Sequence, residues 1–329
     1  MTTAEILNRF PALAALVIGD ICHDRWCTYD PATTEASRET GIPRIGVVST
    51  TTTAGAGGTV ANNLAALGTG RVAVLGAIGH DGHGFELRGA LSAGGIAHDL
   101  LIEAEELQTF TYTKLINCKT GTEDLPRVDF IATEPLAPRI EQAILDRFQQ
   151  AASSFGVILV SDQAETSRGG VVTAAVREAI RRFANEHPQK VVWVDSRMRA
   201  EVFRDVIVKP NEREAHEACD RLFGRLDLPG LRRTIGSKPL IVTNGGRGAE
   251  IHDEDGVQWE AAKPVENPVD ICGAGDSFSA GASLAYLVTG SARTAARLGN
   301  LVASVTIMKK GTGTARPDEV LAAEESGLR

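Results

Sequence analysis

Short apolar runs that end in polar residues recur along the chain and predict buried strands. The run from Leu13 to Ile18 is continuously apolar and ends at Gly19-Asp20, as a first strand of a buried sheet does. From residue 138 onward, helix-like and strand-like stretches alternate over 138–152, 156–160, 170–185, 191–194 and 206–209. Strand–helix units of this length imply right-handed crossovers and a mainly parallel sheet. The pattern predicts an α/β, doubly wound fold with helices on both faces of the sheet.

Two polar, β-branched excursions interrupt this alternation. Residues 45–53 and 109–118 have strand-like patterns, and Arg127 to Ile131 follows a polar turn. Excursions of this length inside a compact domain are usually functional, so we expect a small β lid formed by about 25–55 and 108–131 within a single 1–329 domain. The exposed edges of such a lid could pair two chains into a homodimer.

Composition narrows the class of protein. Hydrophobic residues make up 43% of the 329 residues, which is enough for a large core, and the net charge of −8 with no basic run makes nucleic acid an unfavourable partner. The five cysteines are scattered without CxxC spacing, which is typical of reduced thiols and implies no metal site. No signal-peptide pattern and no apolar run of ~20 residues is present, so we expect a soluble cytoplasmic protein with no membrane partner.

The stretch from Pro268 to Gly281 carries the clearest chemistry. Gly273, Ala274 and Gly275 leave the backbone uncovered where an apolar helix over 278–288 is predicted, and the amides at a helix start attract an anion. Asp276 lies beside this site, where a carboxylate can take a proton from a hydroxyl that attacks phosphorus. A tight turn followed by an Asp that complements the helix dipole is the alternative.

Other acidic residues follow predicted strands at the edge of the sheet where ligands collect. Asp20 and Asp24 come after the first strand, and Asp162 and Asp195 end later ones. For the first two, the alternative to a substrate contact is a loop residue that caps a turn. For the other two, a site role and a helix N-cap role are both open.

Two further pairs of residues could hold a metal. His80 and His83 lie in a glycine-rich loop, but no third ligand with suitable spacing accompanies them, so an ordinary loop is favoured. Asn211 and Glu214 open a predicted helix, and their i, i+3 spacing places both side chains on one face. Taken alone, this second pair could be a helix start with no function.

Four motifs, in matching order, resemble those of the ribokinase (PfkB-type) carbohydrate kinases over roughly residues 13 to 315. They are Gly55-Ala56-Gly57-Gly58-Thr59-Val60-Ala61-Asn62-Asn63-Leu64, Asn211-x-x-Glu214, Thr243-x-Gly245-x-x-Gly248 and Asp270-x-x-Gly-Ala-Gly-Asp276. The resemblance implies a ribokinase-like fold and ATP-dependent phosphorylation of a sugar hydroxyl.

The same resemblance implies roles for individual residues. Asp276 would be the general base, with the amides of Gly273, Ala274 and Gly275 holding the γ-phosphoryl group. Mg²⁺ would be held by Asn211 and Glu214, and a monovalent cation such as K⁺ near Asp270. ATP would contact Lys209, Thr243, Gly245, Gly248 and Asn300. The sugar would contact Asp24, Gly57, Gly58 and, depending on how the glycine motif is aligned, either Thr59 or Asn62.

Within the family, the chain resembles the branch of bacterial heptose 7-phosphate kinases. The similar stretches are Gly19-Asp20-x-x-x-Asp24-Arg25, Thr113-Lys114, Arg127-Val128-Asp129 and Lys209-Pro210-Asn211-Glu212. This branch implies a sugar phosphate as the substrate, with basic lid residues facing its phosphate, although a solvated hairpin of alternating charge has the same pattern. An unphosphorylated sugar, a nucleoside, and a non-catalytic sugar or nucleotide sensor are the alternatives. The intact Asp276 argues against the sensor.

Overall fold

Strands and helices alternate along most of the chain. The structure, a computed structural model, describes residues 1–166, 168–236 and 238–326. The helices are α1 (Thr3–Leu7), α2 (Gly57–Ala66), α3 (Gly82–Ala93), α4 (Pro138–Ala151), α5 (Ala174–Glu186), α6 (Glu212–Phe223), α7 (Leu228–Ile235), α8 (Ala274–Thr289), α9 (Ala292–Thr306) and α10 (Pro317–Glu325). The strands are β1 (Ala14–Gly19), β2 (Ile21–Tyr29), β3 (Glu35–Ala36), β4 (Pro43–Arg44), β5 (Val47–Ala56), β6 (Arg71–Leu75), β7 (Ala77–Gly79), β8 (Ile102–Ala104), β9 (Thr111–Asn117), β10 (Val128–Phe130), β11 (Val157–Asp162), β12 (Val191–Ser196), β13 (Ile207–Val208), β14 (Leu240–Thr243), β15 (Gly248–Asp253) and β16 (Gly256–Ala261).

An eight-stranded central sheet has the order β16-β15-β14-β13-β12-β11-β1-β6. Neighbours from β14 to β6 run parallel, and β15 and β16 add an antiparallel hairpin. Every residue of β11 and β12 is buried, because parallel strands are covered on both faces. The predicted α/β, mainly parallel fold is confirmed.

Helices cover the two faces of this sheet and bury a separate apolar layer on each. One layer joins residues of α1, α2, α8, α9 and α10, and the other joins residues of α4 to α7. Helix α8 packs on β11 and β12 and begins beside their carboxyl ends. The helix starts at Ala274, four residues earlier than the apolar pattern predicts, so the small residues lie in its first turn rather than before it.

A second sheet, here called the lid sheet, has the order β10-β9-β2-β5. It lies in the two excursions that the sequence pattern sets apart. Strand β2 begins at Ile21, directly after β1, since Ile21 and Cys22 are buried and continue the apolar run of the first strand. Strand β5 is the edge strand, and its first five residues are exposed. The lid sheet is therefore thin and half covered, unlike the central sheet.

Two further observations concern the helices and the cysteines of the described residues. Every helix in these ranges is too short or too polar to span a bilayer. The five cysteines are free thiols.

Candidate active site

A cleft of about 140 Å³ lies between the start of α8 and the lid sheet. Gly273 and Asp276 line it from α8, and Asp24, Lys114 and Arg127 line it from the lid sheet. A larger cavity of about 250 Å³ opens at the amino ends of β12 and β13, far along the strands from these groups. The smaller cleft brings together four of the predicted site residues, namely Asp24, Thr59, Gly273 and Asp276.

The start of α8 has a bare backbone. Gly273 has a φ of +78°, which favours glycine, and a Cβ there would lie only 3.1 Å from Cγ2 of Thr59. The amide of Ala274 donates to the carbonyl of Ile271 at 3.2 Å. The amides of Gly273 and Gly275 make no such bond within the part of the chain that the structure describes. Two of the three expected amides are therefore free to donate to an anion.

Asp276 lies in the first turn of α8 and is partly exposed to the cleft. The pKa of its carboxyl group is raised to about 7, chiefly by burial and to a smaller extent by the charge of Asp195. The charge of Lys209 lowers the pKa. Asp24 raises it and Arg197 lowers it by smaller amounts. A carboxyl group with this pKa changes its protonation state at physiological pH, which suits a general base.

Lys209 lies underneath the helix start. Its Nζ is 2.6 Å from Oδ2 of Asp195, and the side chain is only 3% exposed. Ser279 donates to the same Asp195 oxygen at 3.2 Å. A Cβ on Gly275 would lie 3.3 Å from Nζ of Lys209, so the ammonium group lies directly behind the bare backbone. The sequence predicted a nucleotide contact for Lys209, and the structure places it below the surface, where it acts on Asp276 electrostatically.

Asn211 and Glu214 form a reciprocal capping box at the start of α6. The amide of Glu214 donates to Oδ1 of Asn211 at 2.9 Å, and the amide of Asn211 donates to Oε2 of Glu214 at 2.8 Å. Burial and the charge of Asp195 raise the pKa of Glu214 to about 7. The pair therefore does begin a helix, as the first interpretation of the sequence had it. The carboxylate nevertheless lies in a place with excess negative charge, where a cation would be stabilised.

The predicted nucleotide contacts form a group around β14 to β16. Thr243 ends β14 and bridges to Asn211. Gly248 has a φ of +111°, and a Cβ there would lie 2.1 Å from the carbonyl oxygen of Glu260. Asn300 on α9 donates to that same carbonyl at 3.3 Å. Gly245, with a φ of +56°, turns the chain between Thr243 and Gly248.

Asp24 projects from β2 into the cleft. A Cβ on Gly55 of the neighbouring strand would lie 2.2 Å from Oδ1 of Asp24, so glycine makes room for this carboxylate. Burial raises the pKa of Asp24 to about 6, while Cys22, Lys114 and Arg127 lower it. The carboxylate is ionised at neutral pH and can accept hydrogen bonds from hydroxyls.

Gly57 and Gly58 have a packing role at the start of α2. A Cβ on Gly57 would lie 2.6 Å from Cδ1 of Ile21, and one on Gly58 would lie 2.5 Å from Cβ of Ala54. The helix can therefore approach the lid sheet closely only with glycine at both positions. Ala56, which lines the cleft just before them, has a φ of +49° that is unusual for alanine.

Thr59 and Asn62, the two alternatives of the glycine motif, lie in different surroundings. Thr59 is buried and lines the cleft next to Gly273. The side-chain amide of Asn62 donates from Nδ2 to Oγ1 of Thr53 at 3.3 Å and to the carbonyl of Ala54 at 3.2 Å. The structure thus brings Thr59 to the cleft and uses Asn62 to tie α2 to β5.

Asp270 uses both of its carboxylate oxygens within the protein. Oδ1 accepts the amide of Cys272 at 2.9 Å, and Oδ2 accepts the amide of Gly311 at 3.1 Å. The side chain therefore joins the turn before α8 to the loop after α9. A monovalent cation at this carboxylate would share it with two amides.

Two other acids at strand ends lie away from the cleft. Asp20 accepts the amides of Gln163, Ala164 and Val171 at 2.8–2.9 Å. Asp162 pairs with Arg199. Asp20 thus anchors the loop after β11. Asp162 is not an N-cap, because Thr173 caps the helix that follows β11.

Sequence reasoning missed Arg197 and Tyr112. Both line the cleft, and Arg197 lowers the pKa of Asp276. Tyr112 supports Arg127, whose Cζ lies 4.8 Å from the ring centroid. The only available signal for Arg197 was its position directly after the polar end of a predicted strand.

The sequence matches the family described as pfkB family carbohydrate kinase over residues 16–319. The bifunctional protein HldE of Trichlorobacter lovleyi is 28% identical over 330 residues, covering 97% of this chain and 64% of that protein. The bifunctional protein HldE of Caulobacter vibrioides is 29% identical over 332 residues, covering 98% of this chain and 66% of that protein. The chain spans slightly less than two thirds of the length of these relatives.

Solved structures agree with the fold. The ribokinase of Thermotoga maritima has a TM-score of 0.72 at 19% identity, over 95% of this chain and 99% of that one. The ribokinase of Arabidopsis thaliana, solved with ribose and ATP, has a TM-score of 0.69 at 18% identity, over 94% and 98% of the two chains. The predicted ribokinase-like fold is confirmed. Since the family match covers nearly the whole length, the chain belongs to the pfkB family of carbohydrate kinases, phosphotransferases with an alcohol group as acceptor.

Proposed function

We propose that the protein transfers the γ-phosphoryl group of ATP to a hydroxyl of a sugar that already carries an anionic group, such as a heptose 7-phosphate-like sugar phosphate. The observation that carries this proposal is the charge of the cleft. Four cationic side chains line it against two carboxylates: Arg25, Lys114, Arg127, Arg197, Asp24 and Asp276. Three of these cations also contact carboxylates beside the cleft: Arg25 contacts Glu86, Arg127 contacts Asp129, and Arg197 contacts Glu165. Lys114 has no such partner within the residues that the structure describes. A phosphate would form strong charge-assisted hydrogen bonds with Lys114 and would share the arginines with their carboxylates.

Asp276 accepts the proton of the attacking hydroxyl in this proposal. Its position in the cleft and its raised pKa support this role. Asp24, on the opposite wall, accepts hydrogen bonds from other sugar hydroxyls and orients the ring. The start of α2 at Gly57-Gly58 shapes the cleft beside it, and Thr59 on the same helix brings a side chain with a hydroxyl to the cleft.

The amides of Gly273 and Gly275 stabilise the negative charge on the transferred phosphoryl group. Preorganised amides at a helix start are suited to this, because they need no reorganisation when the charge develops. The amide of Ala274 would join them only by releasing the carbonyl of Ile271. Lys209 adds positive charge from behind without contacting solvent.

Glu214, with Asn211 beside it, would hold Mg²⁺. Both offer oxygen ligands, which Mg²⁺ prefers, and Glu214 lies where negative charge is in excess. When bound, the ion neutralises charge on the phosphates of ATP. Thr243, Gly245, Gly248 and Asn300 are proposed as the nucleotide contacts, and the bridge between Thr243 and Asn211 supports a shared site.

We further infer that K⁺ dependence, a homodimer and a cytoplasmic location accompany this activity. The edge strand β5 exposes Val47 and Val48, which supports pairing of two lid sheets. The free thiols fit a reducing compartment. Turnover in K⁺ compared with tetramethylammonium tests the cation, since equal rates would remove Asp270 from any cation site. Light scattering of wild type and Val48→Lys tests the dimer.

The decisive experiment is ADP release with ATP and Mg²⁺ against a sugar panel. The panel contains D-glycero-D-manno-heptose 7-phosphate, fructose 6-phosphate, unphosphorylated mannoheptose, ribose and inosine. We expect turnover with a phosphorylated sugar and little with its unphosphorylated counterpart. Higher kcat/KM for ribose or inosine would contradict the anionic substrate, and no ADP release with any member would favour a sensor.

A further inference from the structure

Two histidines and a glutamate converge at the base of the lid sheet, outside the cleft. His23 lies on β2, and His83 and Glu86 lie on the first turns of α3. One ligand atom from each of the three side chains lies within 4.8 Å of the other two. The sequence suggested His80 as the companion of His83, but Nδ1 of His80 lies 2.8 Å from Oε1 of Glu103 instead. The third ligand that the sequence did not reveal comes from a strand 60 residues earlier.

His23 has an unusual environment for a buried side chain. It is fully buried, and neither ring nitrogen has a hydrogen-bond partner within the residues that the structure describes. Its Nε2 faces Oε2 of Glu86 at 3.5 Å, and its ring lies 5.7 Å from that of His83. A buried imidazole without a partner is costly, because it has lost its hydrogen bonds to water. A ligand bound between His23, His83 and Glu86 would give this imidazole the partner that it lacks.

We propose that His23, His83 and Glu86 bind one divalent transition-metal ion of the zinc class. Two imidazoles and one carboxylate are a donor set that Zn²⁺ favours, with water in the fourth position. Mg²⁺ prefers an all-oxygen set, so this site is chemically distinct from that of Glu214 and Asn211. The ion would join β2 of the lid sheet to α3.

The three ligands can close around an ion with small movements. Ligand atoms of a tetrahedral site with bonds of 2.0–2.1 Å lie about 3.3 Å apart, so these atoms must move by about 1 Å. Glu86 is exposed and His83 is partly exposed, so both can rotate, whereas the packing around His23 keeps it in place. Nε of Arg25, 3.8 Å from Oε2 of Glu86, is the cation that the metal must displace from this carboxylate.

The test measures metal binding directly on the full-length, untagged protein. After treatment with EDTA, the protein is titrated with Zn²⁺ by calorimetry in the presence of excess Mg²⁺. We expect one ion per chain and a rise in the thermal unfolding midpoint, because the ion binds only the folded state. His83→Ala and Glu86→Gln should each weaken binding at least about tenfold, since even outer-shell partners of a metal contribute that much. His80→Ala, in the same loop, is the matched control and should bind as the wild type does.

Spectroscopy with Co²⁺ identifies the ligands. A d–d spectrum without a thiolate-to-metal charge-transfer band fits nitrogen and oxygen ligands, whereas a thiolate band would assign the ion to cysteine and overturn the proposal. Absence of Zn²⁺ binding at micromolar concentration, or equal weakening in His80→Ala and His83→Ala, would also overturn it. ADP release in Mg²⁺ alone should be unchanged in His83→Ala, which shows that the variant is folded. Because the readout is binding, it does not depend on the proposed substrate.

Discussion

The two walls of the cleft are built in opposite ways. The α8 wall rests on strands whose residues are all buried, and its charged groups are fixed by short contacts such as that of Lys209 with Asp195. The lid wall is a half-exposed sheet, and its cations are more exposed: Arg127 packs on Tyr112 and pairs with Asp129 at 2.7 Å, yet its side chain is 39% exposed, against 3% for Lys209. Bond-making chemistry requires fixed geometry, whereas recognition tolerates movement. The difference suggests that the first wall sets the rate and the second selects the substrate.

The largest expected effect comes from exchanging the carboxylate on each wall. Asp276→Asn should lower kcat by about 10²–10⁴, the usual loss when a general base is removed. Asp24→Asn should mainly raise the KM for the sugar, because it replaces one of the two acceptor oxygens with an NH2 donor and leaves the base in place. Steady-state kinetics on both variants make the comparison, with ATP binding measured by calorimetry as the control. Near-wild-type kcat in Asp276→Asn would contradict its role as base.

The contrast between the walls also explains what the sequence could predict. Strands β11 and β12 are continuous apolar runs, and the Gly273–Asp276 turn is contiguous, so both were readable from local pattern. In contrast, whether Thr59 or Asn62 reaches the cleft depends on which face of α2 packs on β5. That choice is made by tertiary contacts, namely the bonds of Asn62 to Thr53 and Ala54.

Contacts between distant parts of the chain, and the details of the backbone at the start of α8, could not be predicted from local sequence pattern for similar reasons. Asp20 looked like a substrate ligand, yet its carboxylate meets three amides from a loop about 145 residues later in the chain. The bond from the amide of Ala274 to Ile271 depends on the left-handed conformation of Gly273, which glycine permits but does not require. Likewise, His23 meets His83 only after the lid sheet forms.

The second prediction concerns the cations of the lid wall. Lys114→Met and Arg127→Met should each raise the KM for a sugar phosphate roughly 10–100-fold, since a hydrogen bond to a charged group contributes about 1.5–3 kcal/mol. The KM for ATP should not change. Lys119→Met, which removes an exposed lysine from the turn just after β9, is the matched control. If the KM for an unphosphorylated sugar rose equally, these cations would not be recognising its phosphate.

The third prediction uses pH to examine the α8 wall. Asp276 must be deprotonated to act as a base, so with a pKa of about 7 the kcat/KM should fall about tenfold for each pH unit below that value. Lys209 favours the charged form, so Lys209→Met should raise the pKa and move this acid limb to higher pH. Lys209→Arg keeps the charge and should restore the wild-type profile. An acid limb that stays in place in a folded Lys209→Met variant would mean that another group limits turnover.

The smallest expected effect separates Thr59 from Asn62, which lie one helical turn apart at the seam between the two walls. Thr59→Val removes the hydroxyl of a side chain that lines the cleft and should raise the KM for the sugar about fivefold, as the loss of one neutral hydrogen bond of about 1 kcal/mol does. Asn62→Ala removes two bonds that hold α2 to β5, so it should lower the thermal unfolding midpoint and leave the KM nearly unchanged. Kinetics and thermal melts on both variants decide this. The reverse pattern, with Asn62→Ala affecting the KM and Thr59→Val affecting stability, would show that the helix turns a different face to the substrate.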